Sequence, residues 1–328
     1  MKYAFVIAIL SIMPFQLFGQ GPIPVPAEEA TVDLERVVAE VLANNPELQA
    51  FNENRRVAAA RIPQMGALDD PMFNFEIEEA PSSAIFNSSQ WKYVNFQLTQ
   101  SIPFPGKLSN KQTIAEFNAE HALHDYQEKM LEVIDKVKTA YYELYYAQRA
   151  MEVNQENTRL LEQFAQTAKT RYAVGKATNQ DVLKANVEVA KLANERIALN
   201  QKEETAKAML NVLLNRLPQA PLGKTFVDDG TTKVYELEKL QELALQTRPM
   251  VKHDSLGIVQ SEVNLALAKK QYLPDFNAGI KYVRSPLDGF RGWTAMVGIS
   301  LPFSPWTLGK RSGQVEEATA DIQMKRAM

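Results

Sequence analysis

The segment WKYVNFQLTQSIPFPGKL, residues 91–108, contains the pattern that decides the fold. Its first half alternates apolar and polar side chains, so each kind lies on one side of a β-strand. The apolar positions are Val94, Phe96 and Leu98, and the polar positions are Asn95, Gln97 and Thr99. Pro103, Pro105 and Gly106 then end the strand. The segment therefore predicts a half-apolar strand that leads through a short break into the next element.

The next element is a long helix. No Pro or Gly occurs from Leu108 to Tyr172, and apolar residues recur there at spacings of three or four. A helix of roughly 60 residues would be some 90 Å long. Gly175 and Asn179 indicate a tight turn, and a second, alanine-rich helix is expected from Asp181 to Leu214. Together these segments predict a long helical hairpin.

A second strand precedes the quoted segment. Phe73, Phe75 and Ile77 alternate with the polar residues between them, and a polar loop is expected from Pro81 to Gln90. Short helices should lie further upstream, one capped by Asp33 and one from Pro46 to about Ile62. The predicted order is short helices, β-hairpin and long helical hairpin.

This arrangement is repeated later in the chain. At an offset of 203, Pro71, Phe73, Asn74, Ile77, Gly106 and Lys107 meet identical residues at Pro274, Phe276, Asn277, Ile280, Gly309 and Lys310. Between them, Ser101, Pro103 and Phe104 match Ser300, Pro302 and Phe303 at an offset of 199. Identical residues that recur in the same order in both parts of the chain indicate a duplicated unit. The two copies of the unit would contain four strands in all.

The two repeats differ in length. Lys107 is followed by 110 residues up to Leu217, whereas Lys310 is followed by 18. We therefore expect the chain to be C-terminally truncated, a fragment whose second helical hairpin has only its first turns.

The expected organisation has seven segments. They are a signal peptide (1–19), a linker and short helices of the first repeat (20–72), β-hairpin 1 (73–105), long helical hairpin 1 (106–217), a linker and short helices of the second repeat (218–273), β-hairpin 2 (274–303), and the truncated start of the second long helix (304–328). The signal peptide is predicted from Lys2, the apolar run from Tyr3 to Met13, and the small residue Gly19.

Composition excludes several classes of function. The chain has 328 residues, a net charge of −3, no Cys and three His. Disulfides, thiolate metal sites and a nucleic-acid partner are therefore not expected. Nothing places a nucleophile beside a base, so no catalytic residue, metal, cofactor or enzymatic activity is expected.

No segment after the leader is apolar enough to span a bilayer as a helix, so any membrane insertion must use the strands. Four strands leave open edges, which lipid does not tolerate, so the sheet would have to close with other copies of the chain. Eight strands enclose only side chains, whereas twelve leave a lumen. The residues expected to face lipid are Phe75, Ile77, Phe96, Leu98, Val297 and Ile299. A half-buried soluble sheet remains an alternative explanation of the alternation.

The sequence resembles the TolC family of outer-membrane efflux proteins. The resemblance rests on the duplication, on Asp70-Pro71, on the junction at 101–108, and on RYAVGKATNQDVL at 171–183. It implies an α+β membrane protein, a homotrimer with a shared twelve-stranded transmembrane barrel and a periplasmic helical tunnel. Its partners would be a periplasmic adaptor and an inner-membrane pump, of the resistance-nodulation-division type. The junction and Asp70-Pro71 look most like the heavy-metal branch, and export of drugs or other organic solutes remains open.

The resemblance also implies roles for individual residues. Val174, Gly175 and Lys176 would contact the adaptor at the helical tip, although a plain hairpin turn explains Gly175 equally well. Gln180 and Asp181 would belong to a polar latch that holds the tip closed. Asp181 could equally be the N-cap of a helix that starts at Val182.

Other patterns favour ordinary structural roles. His121 and His124 lie one helical turn apart and could share a cation, but solvated helix residues are the simpler interpretation. Met65 and Met72 could contact soft metal ions, but flexible packing is simpler. The alternative function is an exported soluble coiled-coil scaffold or adhesin without a pore. The sequence identifies neither the transported compound nor the pump.

Overall fold

The structure is a computed structural model that describes residues 31–79, 90–227 and 235–328. The expected signal peptide and most of the polar loop after Glu79 lie outside these residues. The described chain divides into two compact units. The hairpin unit comprises residues 31–34, Glu143–Val212 and Arg216–Val227, and the sheet unit comprises Glu35–Tyr142, Leu213–Asn215 and 235–328.

Two elements of the hairpin unit are long helices, and two are short strands that pair in parallel. They are β1 (Thr31–Val32), the C-terminal part of α3 (Lys107–Ala173), α4 (Asn179–Leu213) and β4 (Lys224–Thr225). Leu144, Ala147 and Leu210 are fully buried in this unit. The helix α3 has 67 residues, longer than the 60 expected, and its residues are divided between the two units.

The sheet unit combines a four-stranded sheet with helices. Its elements are α1 (Leu34–Asn44), α2 (Pro46–Gly66), β2 (Met72–Glu78), β3 (Tyr93–Ile102), the N-terminal part of α3, α5 (Leu237–Thr247), α6 (Pro249–Lys270), β5 (Phe276–Arg284), β6 (Arg291–Ile299) and α7 (Pro305–Ala327). Val41, Val133, Val137 and Tyr141 are buried in its core. None of the described helices is long and apolar enough to cross a membrane.

The helix α2 shows how local sequence sets an element. The Asn45 side chain accepts hydrogen bonds from Glu47 N (2.9 Å) and Leu48 N (3.2 Å), and Pro46 occupies the first turn. The expected end near Ile62 was wrong, because the helix continues through Pro63 to Gly66. Pro63 has no N–H group to donate to Ala59 O, so this hydrogen bond is missing, and the helix ends about one turn later at Gly66.

The four strands of the sheet unit form one antiparallel sheet in the order β2-β3-β5-β6. The central contact, β3 with β5, joins the two sequence repeats and pairs Val94 with Arg284 through to Ile102 with Phe276. The four strands expected from the alternation are therefore all present. Within the described residues, β2 and β6 each have a neighbouring strand on one side only.

Candidate functional site

The two faces of the sheet differ in polarity. Strand register places one row of aromatic residues straight across all four strands, on the same face as the six residues expected to contact lipid. The row is Phe75, Phe96, Tyr282 and Trp293, with successive ring centroids 5.3, 6.4 and 4.8 Å apart. Most of this face is open, and Val297 is 83% exposed. An apolar face this exposed requires an apolar environment or a partner.

The opposite face carries a hydrogen-bonded polar cluster. Asn95 is only 1% exposed, and its Nδ2 donates to carboxylate oxygens of Glu76 and Glu78, each at 3.2 Å. Lys281 Nζ lies 3.6 Å from Glu76 Oε2. Asn95, Gln97 and Thr99 share this face, as the alternation predicted. The sheet could therefore separate an apolar medium from an aqueous one.

A buried ion pair joins the two repeats beside the sheet. Lys107 Nζ lies 2.8 Å from Asp275 Oδ1 and donates to Leu273 O at 2.9 Å, and the lysine side chain is 4% exposed. Phe104 N donates to the same carboxylate at 2.7 Å. Burial opposes ionisation of Asp275, but the ammonium and the N–H group hold its carboxyl pKa below the ordinary value. The pair fixes the start of α3 against the start of β5.

The turn between α3 and α4 begins with a Schellman motif. Gly175 N donates to Tyr172 O (2.9 Å), and Lys176 N donates to Arg171 O (2.8 Å). Gly175 has φ = 74°, and nothing lies within 4 Å of the position that a Cβ would take. Val174 and Lys176 are exposed. The three residues expected at the tip thus form an open turn whose positive φ favours glycine.

The turn ends with a capping box. Asp181 Oδ2 accepts from Thr178 N (3.0 Å) and Thr178 Oγ1 (2.7 Å), while Asp181 N donates to Thr178 Oγ1 (3.3 Å). Since α4 begins at Asn179, Thr178 is the N-cap and Asp181 the third helical residue, so the N-cap alternative for Asp181 was wrong. The Thr178 hydroxyl and N–H lower the pKa of the Asp181 carboxyl. Gln180 is exposed beside it.

Two histidines meet inside the sheet unit. The His121 ring on α3 lies 4.2 Å, centroid to centroid, from the His253 ring on α6, whereas His124 contacts Gln127. The contact of His121 with His253 is one that sequence reasoning missed, since it had considered only a cation shared with His124 and had favoured solvated residues. No group of three or more His, Asp or Glu that could hold a metal ion is found among residues 31–79, 90–227 and 235–328. Met65 and Met72 are exposed.

The surroundings of this pair favour the uncharged form of His121. Burial is the largest cause of a lowered pKa of His121, followed by His253, with Lys325 of α7 adding to the effect. A hydrogen bond with Gln260 and the charge of Asp125 act in the opposite direction. His253 itself lies 3.7 Å from Asp125 Oδ1 and 3.0 Å from Asp254 Oδ1.

We expect this pair to make the sheet unit less stable in acid. As the pH falls below about 6.5, the unfolded chain binds a proton at His121 that the folded chain resists, so the free energy of unfolding falls. Thermal unfolding at pH 7.5 and pH 5 measures the loss. His121→Asn should reduce it, and so should His253→Gln, which removes one cause of the shift. An unchanged pH dependence in both variants would contradict this assignment.

Comparison with known proteins identifies the family. The profile described as "Outer membrane efflux protein" matches residues 37–216, more than half of the chain. The chain belongs to the outer membrane efflux protein family. This family is one of outer-membrane channels and not a class of enzymes. The matched residues of this efflux-family chain include β-hairpin 1 and the tip turn.

Individual relatives of this efflux-family chain are distant. It is 24% identical over 301 residues to an uncharacterised protein of Haemophilus influenzae, and 24% identical over 297 residues to toxin and drug export protein A of Aggregatibacter actinomycetemcomitans. Each match covers 87% of this chain but only 65% and 64% of the relatives, so the chain spans just under two thirds of their length.

The fold matches solved outer-membrane channels. The outer membrane protein VceC of Vibrio cholerae superposes with a TM-score of 0.73 at 19% identity, over 90% of this chain and 74% of VceC. The efflux-family chain therefore has the duplicated fold of helices and β-hairpins that these channels have.

Proposed function

We propose that this chain is the outer-membrane channel component of a tripartite efflux system, a passive duct for small solutes or metal ions. The observation that supports the proposal most is the four-stranded sheet, which has one exposed apolar face and one polar face and is joined to long helices in an efflux-family chain. Such a sheet suits a wall between lipid and water.

The sheet edges support assembly from several copies. In the described part of the chain, β2 and β6 leave backbone groups unpaired, and each such group costs several kcal/mol in lipid. Closure with other copies removes the edges. Two copies would supply eight strands and fill the interior with side chains, whereas three supply twelve and leave a lumen. We therefore propose a homotrimer in the outer membrane with its helices in the periplasm.

Membership in the efflux family supports a proposal for the remaining partners. A passive duct needs an energised supplier, so we propose a periplasmic adaptor that docks at the tip turn and an inner-membrane pump of the resistance-nodulation-division type. One relative is named as a toxin and drug export protein, which favours organic solutes as cargo over metal ions.

Membrane fractionation followed by affinity purification tests this function. We expect the chain in the outer-membrane fraction as trimers that dissociate on heating, and we expect an adaptor and a pump to copurify with it. Recovery of a monomeric chain from the soluble periplasmic fraction would instead support the scaffold alternative and contradict the proposal.

Gly175 tests docking at the tip. Gly175→Leu should cost about 1 kcal/mol of folding free energy, because its φ is positive. Gly175→Asn is the matched control, because Asn tolerates this conformation and the surroundings are empty. If the adaptor approaches this backbone closely, both variants should lose on the order of tenfold in adaptor crosslinking, equivalent to about 1.4 kcal/mol. Normal crosslinking and efflux in both would exclude Gly175 from the contact.

Asp181 tests the latch. Asp181→Ala and Thr178→Ala both break the capping box, and the Thr178 change should cost about 1 kcal/mol. Only Asp181→Ala removes a carboxylate that a latch could use. We therefore expect Asp181→Ala alone to increase the uptake of a large antibiotic that an intact outer membrane excludes. Equal uptake in the two variants would show that Asp181 acts only as a helix cap.

A further inference from the structure

We propose that β6 of one copy of this chain pairs antiparallel with β2 of the next copy, with Ile299 opposite Phe75 and Val297 opposite Ile77. This inference rests on the proposed function, because it requires the sheet to close through copies of the same chain. It specifies the register of the contact between subunits, residue by residue.

The contact between β3 and β5 supplies the template. It is a contact between the first and second repeats, and it pairs Gln100 with Ala278 and Leu98 with Ile280. In a closed ring, the second repeat of one copy meets the first repeat of the next copy in the same way. The contact between β6 and β2 is therefore the intermolecular equivalent of one that the chain already makes.

The sequence offsets transfer the register. Residues around the end of β3 match those around the end of β6 at 199, through Ser101 with Ser300 and Phe104 with Phe303. Residues of β2 match those of β5 at 203, through Phe73 with Phe276. We add 199 to each β3 residue and subtract 203 from each β5 residue of the observed pairs. The result is three pairs between copies: Ile299 with Phe75, Val297 with Ile77, and Leu301 with Phe73.

The transferred register keeps each face uniform. Ile299, Val297, Phe75 and Ile77 all lie on the apolar face of the sheet. On the other face, Gly298 comes opposite Glu76, which leaves room beside the carboxylate. A slip of one residue would place apolar side chains opposite polar ones along the whole contact.

An aromatic pair beside the strands points to the same contact. Phe104 stacks on Phe276 within the chain, with ring centroids 6.4 Å apart. Their repeat counterparts, Phe303 and Phe73, are each 65% exposed. In the proposed contact these two rings come together between copies, as the internal pair does, and both lose solvent exposure.

The register also closes a ring of three copies. Within one copy, Phe73 is level with Leu98, Ile280 and Ala295 across the sheet. The proposed pairing places Glu79 of the next copy opposite Ala295, so the register advances by six residues per copy. Three such steps around twelve strands give a strand tilt of about 45°, at the upper end of the range for transmembrane barrels.

The nearest competing registers differ by two residues. The registers of the two hairpins already differ by two residues. Phe73 pairs with Leu98 in the first hairpin, and the repeat counterparts of these residues are Phe276 and Val297. In the second hairpin, however, Phe276 pairs with Ile299. A shift of two keeps every side chain on its face. Polarity therefore does not distinguish these registers, and crosslinking does.

Four double-cysteine variants of the 328-residue chain provide the test, because the chain has no Cys of its own. The matched variants are Phe75→Cys with Ile299→Cys, and Ile77→Cys with Val297→Cys. The shifted variants exchange the partners, Ile77→Cys with Ile299→Cys and Phe75→Cys with Val297→Cys. All four use the same sites, so differences in folding or reactivity at a single site cancel.

Mild oxidation in membranes should link the matched variants into covalent dimers and trimers on non-reducing, denaturing gels. We expect on the order of tenfold less linkage in the shifted variants, because diagonal neighbours are about 7–8 Å apart and too far for a relaxed disulfide. Preferential linkage of one shifted variant would overturn this register. So would trimers, verified by native mass spectrometry, in which no variant links, and either result leaves the proposed function standing. Absence of any oligomer would overturn the proposed function as well.

Discussion

Asp275→Ala should lower the free energy of unfolding of the sheet unit by about 3–5 kcal/mol, because it leaves a buried ammonium without its counter-ion. The Lys107 side chain is 4% exposed, and after the substitution it would keep only the hydrogen bond to Leu273 O. Phe104 N would also lose its acceptor. A buried charge is far more costly without its partner than with it.

The loss of unfolding free energy is measured by denaturant unfolding in detergent, with tryptophan fluorescence as the signal. The matched control is Glu79→Gln, which breaks the ion pair of Glu79 with Lys92, where both side chains are about half exposed. The control should have a small fraction of the Asp275→Ala effect, since exposed pairs contribute little. Similar losses in the two variants would show that the pair at the junction is not important for stability.

Phe96→Arg should destabilise the membrane-inserted protein by about 2–4 kcal/mol if the apolar face contacts lipid, since this is the cost of Arg near the bilayer midplane of a barrel. Phe96 lies near the middle of β3 and packs in the aromatic row between Phe75 and Tyr282. Gln97→Arg is the matched control, because the adjacent residue points to the polar face. Arg there would face water in a lumen.

The stability of both variants is measured as the temperature at which their trimers dissociate on gels. We expect a clear decrease for Phe96→Arg and a small change for Gln97→Arg. An equal decrease in both variants would mean that the two faces of the sheet have similar surroundings.

Much of the fold could be predicted from the sequence because its signals are local and repeated. The alternation of apolar and polar residues from Val94 to Thr99 predicts a strand without any knowledge of its neighbours. The sequence offset between Phe73 and Phe276 indicates a second copy of the repeat. Long runs without Pro or Gly likewise predicted α3 and α4.

The errors occurred where boundaries or distant partners decide the structure. The capping role of Asp181 depends on a helix start two residues earlier than expected, and sequence patterns do not fix boundaries that closely. Contacts between His121 and His253, and between Lys107 and Asp275, join residues more than 130 positions apart. In a single sequence no local signal connects such residues.

Labelling of single cysteines along β3 in purified outer membranes tests the central claim most directly. Phe96→Cys and Leu98→Cys lie on the apolar face, and Gln97→Cys and Thr99→Cys lie on the polar face. The account predicts alternation along the strand: a lipid-restricted reagent should label the first pair, and a water-soluble, membrane-impermeant maleimide should label the second. If both reagents label all four positions alike, the sheet is not a wall between lipid and water, and the channel assignment is contradicted.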